Sequence, residues 1–386
     1  MKTFIGNSPW LDEKDPTKYG VRAGSRWPHF QAKKSEEKTS RYIPFPHFLA
    51  TAAAVLEAEG EEVLLVDGVA EGISVREFIE RVKAFSPGLV LMEVSTPSIA
   101  YDLEMAGTIK SQCKGARVAF SGIHAPMRSE EFLLKNPVVD FVLFGEYEYT
   151  LRDLVHCHKN GSAYQGVQGL IFREKDGTVT MNKERPLIRD LDSLPFYAHH
   201  FLPMKNYCDT PCGLPFPSVQ MWTSRGCPFQ CSFCAWPQIM YGGNDYRVRS
   251  AAKILDELEI LVSRYGFQSF YFDDDTVNIG KKRMLELCRE IKNRGINLPW
   301  AIMARADTMD RELLTAFRDA GLYSLKYGVE SGDQELVNAS GKKLDLQKVR
   351  ETVSMTKELG IKIHLTFAFG LPGETKETIQ NTIDLA

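Results

Sequence analysis

The chain has 386 residues, 44% hydrophobic and 25% charged, with a formal net charge of -3 at pH 7. That length allows two or three domains with real cores, and the near-neutral balance leaves no basic footprint for nucleic acid. No apolar run approaches the roughly 18 residues that span a bilayer, and eight cysteines over this length do not form a secreted disulfide framework. The reducing cytoplasm is the expected compartment. Residues 1–6 read as a buried strand rather than a signal peptide, because Pro9 and charged residues follow too soon.

Residues 1–165 alternate between two periodicities. Apolar runs at 3–7, 62–67, 89–95, 116–121 and 141–144 predict strands buried on both faces. Amphipathic stretches at 46–59, 74–85, 99–114, 128–134 and 148–159 predict helices between them. This pattern predicts a Rossmann-like, doubly wound parallel sheet, with ligands at the carboxyl ends of its strands. Those ends carry Asn7 and Ser8, then Ser95, Thr96 and Ser98, then Gly122 and His124, then Gly145 and Glu146. Ser95–Ser98 also suits an ordinary helix cap, and His124 an ordinary turn. A connection of nearly forty residues follows the first strand, a length usually functional or disordered. Neither a G-x-G-x-x-G after the first strand nor a P-loop is present, which argues against dinucleotide and nucleoside triphosphate sites.

Residues 166–217 form a connector. Alternating runs around Asp176-Gly177 predict a hairpin, and the Pro- and aromatic-rich remainder reads as an ordered strap. His199-His200 lacks ligands at metal spacing and reads as structural, and Cys208 and Cys212 read as a surface loop. Cys113, Cys157 and Cys288 stand alone in helical patterns and read as buried thiols. Lys281-Lys282-Arg283 and Lys342-Lys343 read as solvated helix ends.

Residues 218–386 resume the alternation, with strands at 218–224, 269–273, 300–304, 324–329 and 362–369 and helices at 251–265, 281–294, 310–320, 345–359 and 375–386. Five βα units predict a partial TIM-barrel-like (β/α) fold whose sites collect at strand carboxyl ends, and the chain stops before a sixth strand. The first strand leads into Cys227-Pro228-Phe229-Gln230-Cys231-Ser232-Phe233-Cys234, with C-x3-C-x2-C spacing. Three cysteines on one loop can hold three irons of a [4Fe-4S] cluster and leave the fourth open for chemistry. A zinc knuckle would want a fourth ligand, but Trp236, Pro237 and Gln238 follow. The triple acid Asp273-Asp274-Asp275 suits a magnesium or phosphate-transfer site in principle, without the matching acids or P-loop elsewhere.

The strand-end series of the first half resembles the cobalamin-binding domain that precedes many radical S-adenosylmethionine enzymes. The resemblance implies that Asn7, Ser8, Ser95, Thr96, Ser98, Gly122, His124, Gly145 and Glu146 line the corrinoid's cavity. The D-x-H-x-x-G motif of better-known cobalamin domains is missing: Asp102-Leu103-Glu104-Met105-Ala106-Gly107 has a similar shape with Glu in place of His. The cysteine loop with its Phe233 resembles the radical S-adenosylmethionine signature. By that resemblance Cys227, Cys231 and Cys234 ligate the cluster, Phe233 packs near adenine, and Glu330, Ser331 and Gly332 contact ribose and methionine. Gly370 and Pro372 belong to the adenine-side turn, and Arg305 faces the carboxylate. Asp273 and Asp274 stand where many members carry Gly-Gly-Glu, and acids there still suit an ammonium. The alternative for Glu330 is a salt bridge in the barrel mouth.

The implied function is that of a radical S-adenosylmethionine enzyme using a [4Fe-4S] cluster and cobalamin to methylate an unactivated carbon of a small molecule. Its electron donor would be a flavodoxin or ferredoxin. Residues 20–28 resemble the branch that includes the anaerobic magnesium-protoporphyrin ester cyclase, which makes oxidative cyclisation or hydroxylation an alternative. A non-catalytic corrinoid-binding sensor is the non-enzymatic alternative. The catalytic residues and the substrate are not legible in the sequence.

Overall fold

The computed structural model describes residues 1–9, 42–209, 211–243 and 245–386, together with the backbone of 18–20 and 30–32. The branch-specific loop expected at 20–28 falls outside the described residues apart from the backbone of residue 20. The chain forms two compact units, one of Met1–Arg189, Ser193–Cys208 and Ile239–Tyr241 and one of the remainder.

The first unit is built on β1 (Thr3–Asn7), followed in the chain by a short antiparallel pair, β2 (Lys18–Gly20) and β3 (Phe30–Ala32). Its main sheet continues with β4 (Val63–Asp67), β5 (Leu89–Val94), β6 (Arg117–Gly122), β7 (Phe141–Leu143), β8 (Leu170–Arg173) and β9 (Val179–Met181), in the order β4-β1-β5-β6-β7-β8-β9. The first five are parallel. The order reverses between β1 and β5, and a doubly wound sheet opens its ligand crevice at such a switch point. Helix Val75–Phe85 shows why the layers hold: Ser74 caps it by accepting from Glu77 N–H, and one face buries Phe78, Ile79 and Val82. Phe78 meets Phe4 edge-on at 5.4 Å, and its full burial contributes about 1.5–3 kcal/mol.

The hairpin β8–β9 is an extension of this sheet, pairing antiparallel with β7. Its Leu170, Ile171 and Phe172 are fully buried, so it covers an edge that three-residue β7 would leave open. The rest of the expected connector is shared. Residues 193–208 group with the first unit, where Tyr207 OH donates to Asp67 and Asn206 to the Ala70 carbonyl. Residues 209–217 group with the second.

The second unit carries β10 (Ser218–Met221), β11 (Ser224–Gly226), β12 (Tyr246–Val248), β13 (Ser269–Phe272), β14 (Trp300–Ala304), β15 (Leu322–Glu330) and β16 (Lys362–Phe367). Five of them form a parallel sheet in the order β10-β13-β14-β15-β16. Alternation decides the faces: Phe270 stacks on Trp300 at 5.8 Å, and Trp300 meets Phe317 of helix Arg311–Asp319 edge-on at 5.5 Å. Tyr271 takes the opposite face with Leu214 and Ala301. The expected single strand over 218–224 is broken after Met221. Thr223 is held by Asp274, and the chain re-pairs as β11 with antiparallel β12 before entering the cysteine loop.

Candidate cluster and cofactor sites

The cysteine loop begins at the end of β11 and closes on helix Ala235–Tyr241. Asp274, fully buried, braces its approach: one oxygen accepts from Thr223 N–H at 2.7 Å, the other from the Thr223 and Ser224 hydroxyls. Burial raises its pKa, opposed by the Arg283 guanidinium and these donors. Arg283 itself donates to the Thr223 carbonyl at 2.9 Å and to its hydroxyl at 2.6 Å. Both oxygens of Asp274 are thus committed to the protein, unlike the ligand-facing carboxylate expected from sequence. Asp273 is buried on the same turn.

Cys227 is nearly buried, with Sγ 3.5 Å from Thr276 Oγ1, while Cys231 and Cys234 are half-buried. Burial pushes the Cys227 thiol up, opposed by the Thr276 contact, and pushes Cys231 up, opposed by Lys342 and Arg305. Among the described residues no three His, Cys, Asp or Glu side chains converge on a single metal ion. A cubane cluster does not ask for that, because each thiolate binds a different iron. Three thiols on one loop with two nearby cations fit such a cluster, whose thiolates carry negative charge.

Both cations are held by several partners each. Arg305 stacks its guanidinium 3.7 Å from the centre of the Phe229 ring, forks onto both oxygens of Asp307 at 2.9 and 2.7 Å, and donates to the Lys342 carbonyl at 3.0 Å. Lys342 is buried, contrary to the solvated helix end expected from sequence. Its Nζ donates to Glu330 at 2.8 Å and lies 5.9 Å from the Phe233 ring centre. The neighbouring backbone supports the loop, with Ser232 N–H donating to the Ser340 carbonyl at 2.8 Å. Glu330 thus forms the barrel-mouth salt bridge and also stands beside Cys231. Phe233 is 40% exposed, an open aromatic face next to the thiols.

The remaining expected residues divide. Ser331 and Gly332 pack on helix Lys376–Leu385: Gly332 N–H donates to Thr382 Oγ1 at 2.9 Å, and a Cβ on Gly332 would meet the Asn381 carbonyl at 2.2 Å. Gly332 is small because a helix passes over it. Gly370 and Pro372 sit on the exposed turn after β16, where Gly370 N–H donates to Glu374 at 2.7 Å.

In the first unit the switch point gathers Asn7, Ser8, Ser95 and Ser98 around two acids: Asp67, which sequence reasoning did not single out, and Asp102, which it read only as the start of a segment shaped like D-x-H-x-x-G. Ser8 donates to Asp102 Oδ1 at 3.2 Å and Ser98 to Asp102 Oδ2 at 2.7 Å, with Ser95 Oγ 3.0 Å from Ser98 Oγ. Asn7 Nδ2 donates to Asp67 at 2.8 Å, and burial raises the Asp67 pKa to about 6. Asn7 Oδ1 is buried with no hydrogen-bond partner among the described residues, an acceptor that suits an amide-rich ligand. His124 Nδ1 lies 3.2 Å from the Thr96 hydroxyl, and burial lowers its pKa. Glu146 accepts from Ile188 N–H at 2.8 Å, and Gly145, at φ +70, has nothing pressing on its Cβ position closer than 3.8 Å. Gly122 differs: its Cβ would meet the Val94 carbonyl at 2.4 Å, so strand packing already accounts for it. The strand-end position of Asp67 was the available signal for that acid. Asp102 was named for its motif, and its bonds to Ser8 and Ser98 join residues too far apart in the chain, or too ordinary at a helix start, to be read there.

Two family models match the chain: the B12 binding domain over residues 39–155 and the Radical SAM superfamily over 222–386. Among curated proteins, an uncharacterized methyltransferase of Pyrococcus horikoshii is 30% identical over 341 residues, covering 88% of this chain and 72% of its own. The anaerobic magnesium-protoporphyrin IX monomethyl ester cyclase of Cereibacter sphaeroides is 30% identical over 350 residues, and the chain spans 56% of it. The cytidylyl-2-hydroxyethylphosphonate methyltransferase of Streptomyces wedmorensis is 29% identical, with 73% of its length spanned. In fold, the radical S-adenosylmethionine methyltransferase TsrM of Kitasatospora setae, solved with cobalamin and a [4Fe-4S] cluster, superposes at a TM-score of 0.71 and 20% identity, over 99% of this chain and 69% of that one. OxsB, a cobalamin-dependent radical enzyme, gives 0.74 at 17% identity, over 100% and 51%. The chain belongs to the cobalamin-dependent radical S-adenosylmethionine enzymes.

Proposed function

We propose that this protein transfers a methyl group to an unactivated carbon of a small molecule. The supporting observation is the cysteine loop set between the Arg305–Phe229 stack and the Glu330–Lys342 pair, on a chain that also carries a B12 binding domain. Cys227, Cys231 and Cys234 would hold the [4Fe-4S] cluster. Phe233, Asp273, Glu330 and Lys342 would meet S-adenosylmethionine, with Arg305 as a fixed positive charge, and Ser331, Gly332, Gly370 and Pro372 would shape the adenosine side. Asn7, Ser8, Ser95, Thr96, Ser98, His124, Gly145 and Glu146 would line the cobalamin cavity. When bound, the cluster supplies an electron that cleaves S-adenosylmethionine to a 5′-deoxyadenosyl radical, and cobalamin supplies the methyl group.

The protein's own part is positioning and exclusion of water. Asp274 and Arg283 fix the approach to Cys227, the Gly341 turn fixes Cys231, and the buried cations offset the charge that three thiolates bring. A flavodoxin or ferredoxin would deliver the electron, in the cytoplasm. No helix among the described residues is long and apolar enough to cross a membrane.

Oxidative cyclisation is the second reading, favoured by the 30% identity to the Cereibacter sphaeroides cyclase. Anaerobic turnover with S-adenosylmethionine and a reductant separates the readings. Methyl transfer yields 5′-deoxyadenosine together with S-adenosylhomocysteine, whereas the cyclase reading yields 5′-deoxyadenosine alone. Neither product, with iron and corrinoid both bound, would leave only a corrinoid-binding sensor.

A further inference from the structure

One face of the second unit's sheet carries a polar cluster outside the residues assigned above to the cofactors. On β15, Tyr327 points to the helix layer, its OH 3.2 Å from Thr356 Oγ1, so Ser324 and Lys326 take the other face. The strand register places Met303 of β14 and His364 of β16 on either side of Lys326. Lys326 has only 3% of its side chain exposed, and its Nζ donates to both oxygens of Asp209, at 2.9 and 3.2 Å, and lies 5.2 Å from the centre of the Tyr271 ring.

Asp209 belongs to a strap that closes this end of the sheet. Ser324 donates to the Pro211 carbonyl at 3.0 Å, Ser269 to that of Pro215, and Leu214 packs on Tyr271 and Ala301. Toward the strand carboxyl ends the character changes. Met303 of β14 and Gly328 and Glu330 of β15 are half-buried within largely buried strands, whereas β16 carries no buried residue, with Thr366 half-buried and His364 exposed. That open stretch runs from the Lys326 level up to Glu330 beside the cysteine loop, about 13 Å at the rise of a strand. A hydrocarbon floor would avoid the desolvation penalty that a buried lysine brings, yet this floor keeps a lysine, its counter-ion and, on the paired strand, a histidine.

We propose that Lys326 and His364 form the floor of the substrate chamber and hold an anionic oxygen group of the substrate, a carboxylate or a phosphonate, with Asp209 as the resident counter-ion that this group displaces. The inference rests on the enzymatic reading above and names the substrate's chemical class. The Asp209 carboxylate, already on Lys326 through both oxygens, shows that the position suits such a group. An anion held there leaves the reacting carbon two to four residues higher, roughly 7–13 Å along the strand.

The test uses cluster- and cobalamin-reconstituted protein and follows the His364 ring proton by NMR. Acetate and methylphosphonate are titrated separately as probes of the two sources. A saturable His364 shift is expected with at least one of them, and the one that binds identifies carboxylate or phosphonate. Asp209→Asn, which frees Lys326 of its counter-ion, should tighten that binding about tenfold, and Lys326→Met should weaken it at least tenfold with iron and corrinoid content unchanged. Absence of a shift with either anion overturns the proposal, as does unaltered or weaker binding in Asp209→Asn. The latter variant keeps the test decisive if Lys326→Met fails to fold. Failure of the enzymatic reading looks different: no 5′-deoxyadenosine is formed, whatever the anions do.

Discussion

Gly341 offers a measurement of how tightly the cysteine loop is buttressed. Its φ is +75, and a Cβ there would sit 2.6 Å from the Gln230 carbonyl oxygen and 3.8 Å from Cys231 Cα. Gly360 has nearly the same backbone, φ +74, with nothing within 4 Å of its Cβ position. Alanine at either site meets the left-handed penalty of about 1–2 kcal/mol, which for a unit of this size lowers Tm by roughly 2–8 °C. Only Gly341→Ala must also move the loop. Restoring ordinary contact displaces the Gln230–Cys231 backbone by about 0.8 Å, beyond the ~0.5 Å within which ligand constellations must be held. We expect both variants to melt earlier, and only Gly341→Ala to lose iron on anaerobic reconstitution, read as iron per chain and visible absorbance. Equal, undiminished iron in the two variants would refute the idea that the 340–342 turn positions Cys231.

Cys231→Ala should abolish most iron binding, and unchanged iron and absorbance would sink the cluster assignment. Asp274→Ala removes three hydrogen bonds made by a buried carboxylate and should destabilise the second unit by about 3–5 kcal/mol in denaturant unfolding, with Asp274→Asn milder; a loss under about 1 kcal/mol would show that Thr223 and Ser224 do not depend on it. Asp67 has a folded pKa raised to about 6 from 3.8, so its protonated form favours the fold. That contribution is complete below about pH 4 and lost as pH rises through 6, at most about 3 kcal/mol. Asp67→Asn should remove this slope, and unfolding free energies that run parallel to the unsubstituted protein between pH 4 and 7 would contradict it.

The sequence by itself determined the two α/β architectures, since apolar runs of strand length alternating with amphipathic helices leave few other arrangements. It also located the three cysteines, because C-x3-C-x2-C keeps its meaning in one dimension. Strand-end residues were legible as positions but not as roles. Asp274 and Gly122 lie where a ligand contact was expected, yet one is held by Thr223 and Ser224 and the other by the Val94 backbone. Tertiary structure alone decided what packs across long separations. Lys342 reads as solvated until Gly341 is seen against Gln230 and the ammonium against Glu330. The hairpin 170–181 reads as part of a connector until the edge of β7 receives it. Asp209 reads as linker until Lys326, 117 residues away, takes its carboxylate. Local propensity and spacing are properties of neighbours in the chain, whereas charge pairing and close backbone approach belong to neighbours in space, and in this protein those second neighbours set the environment of its cysteine loop.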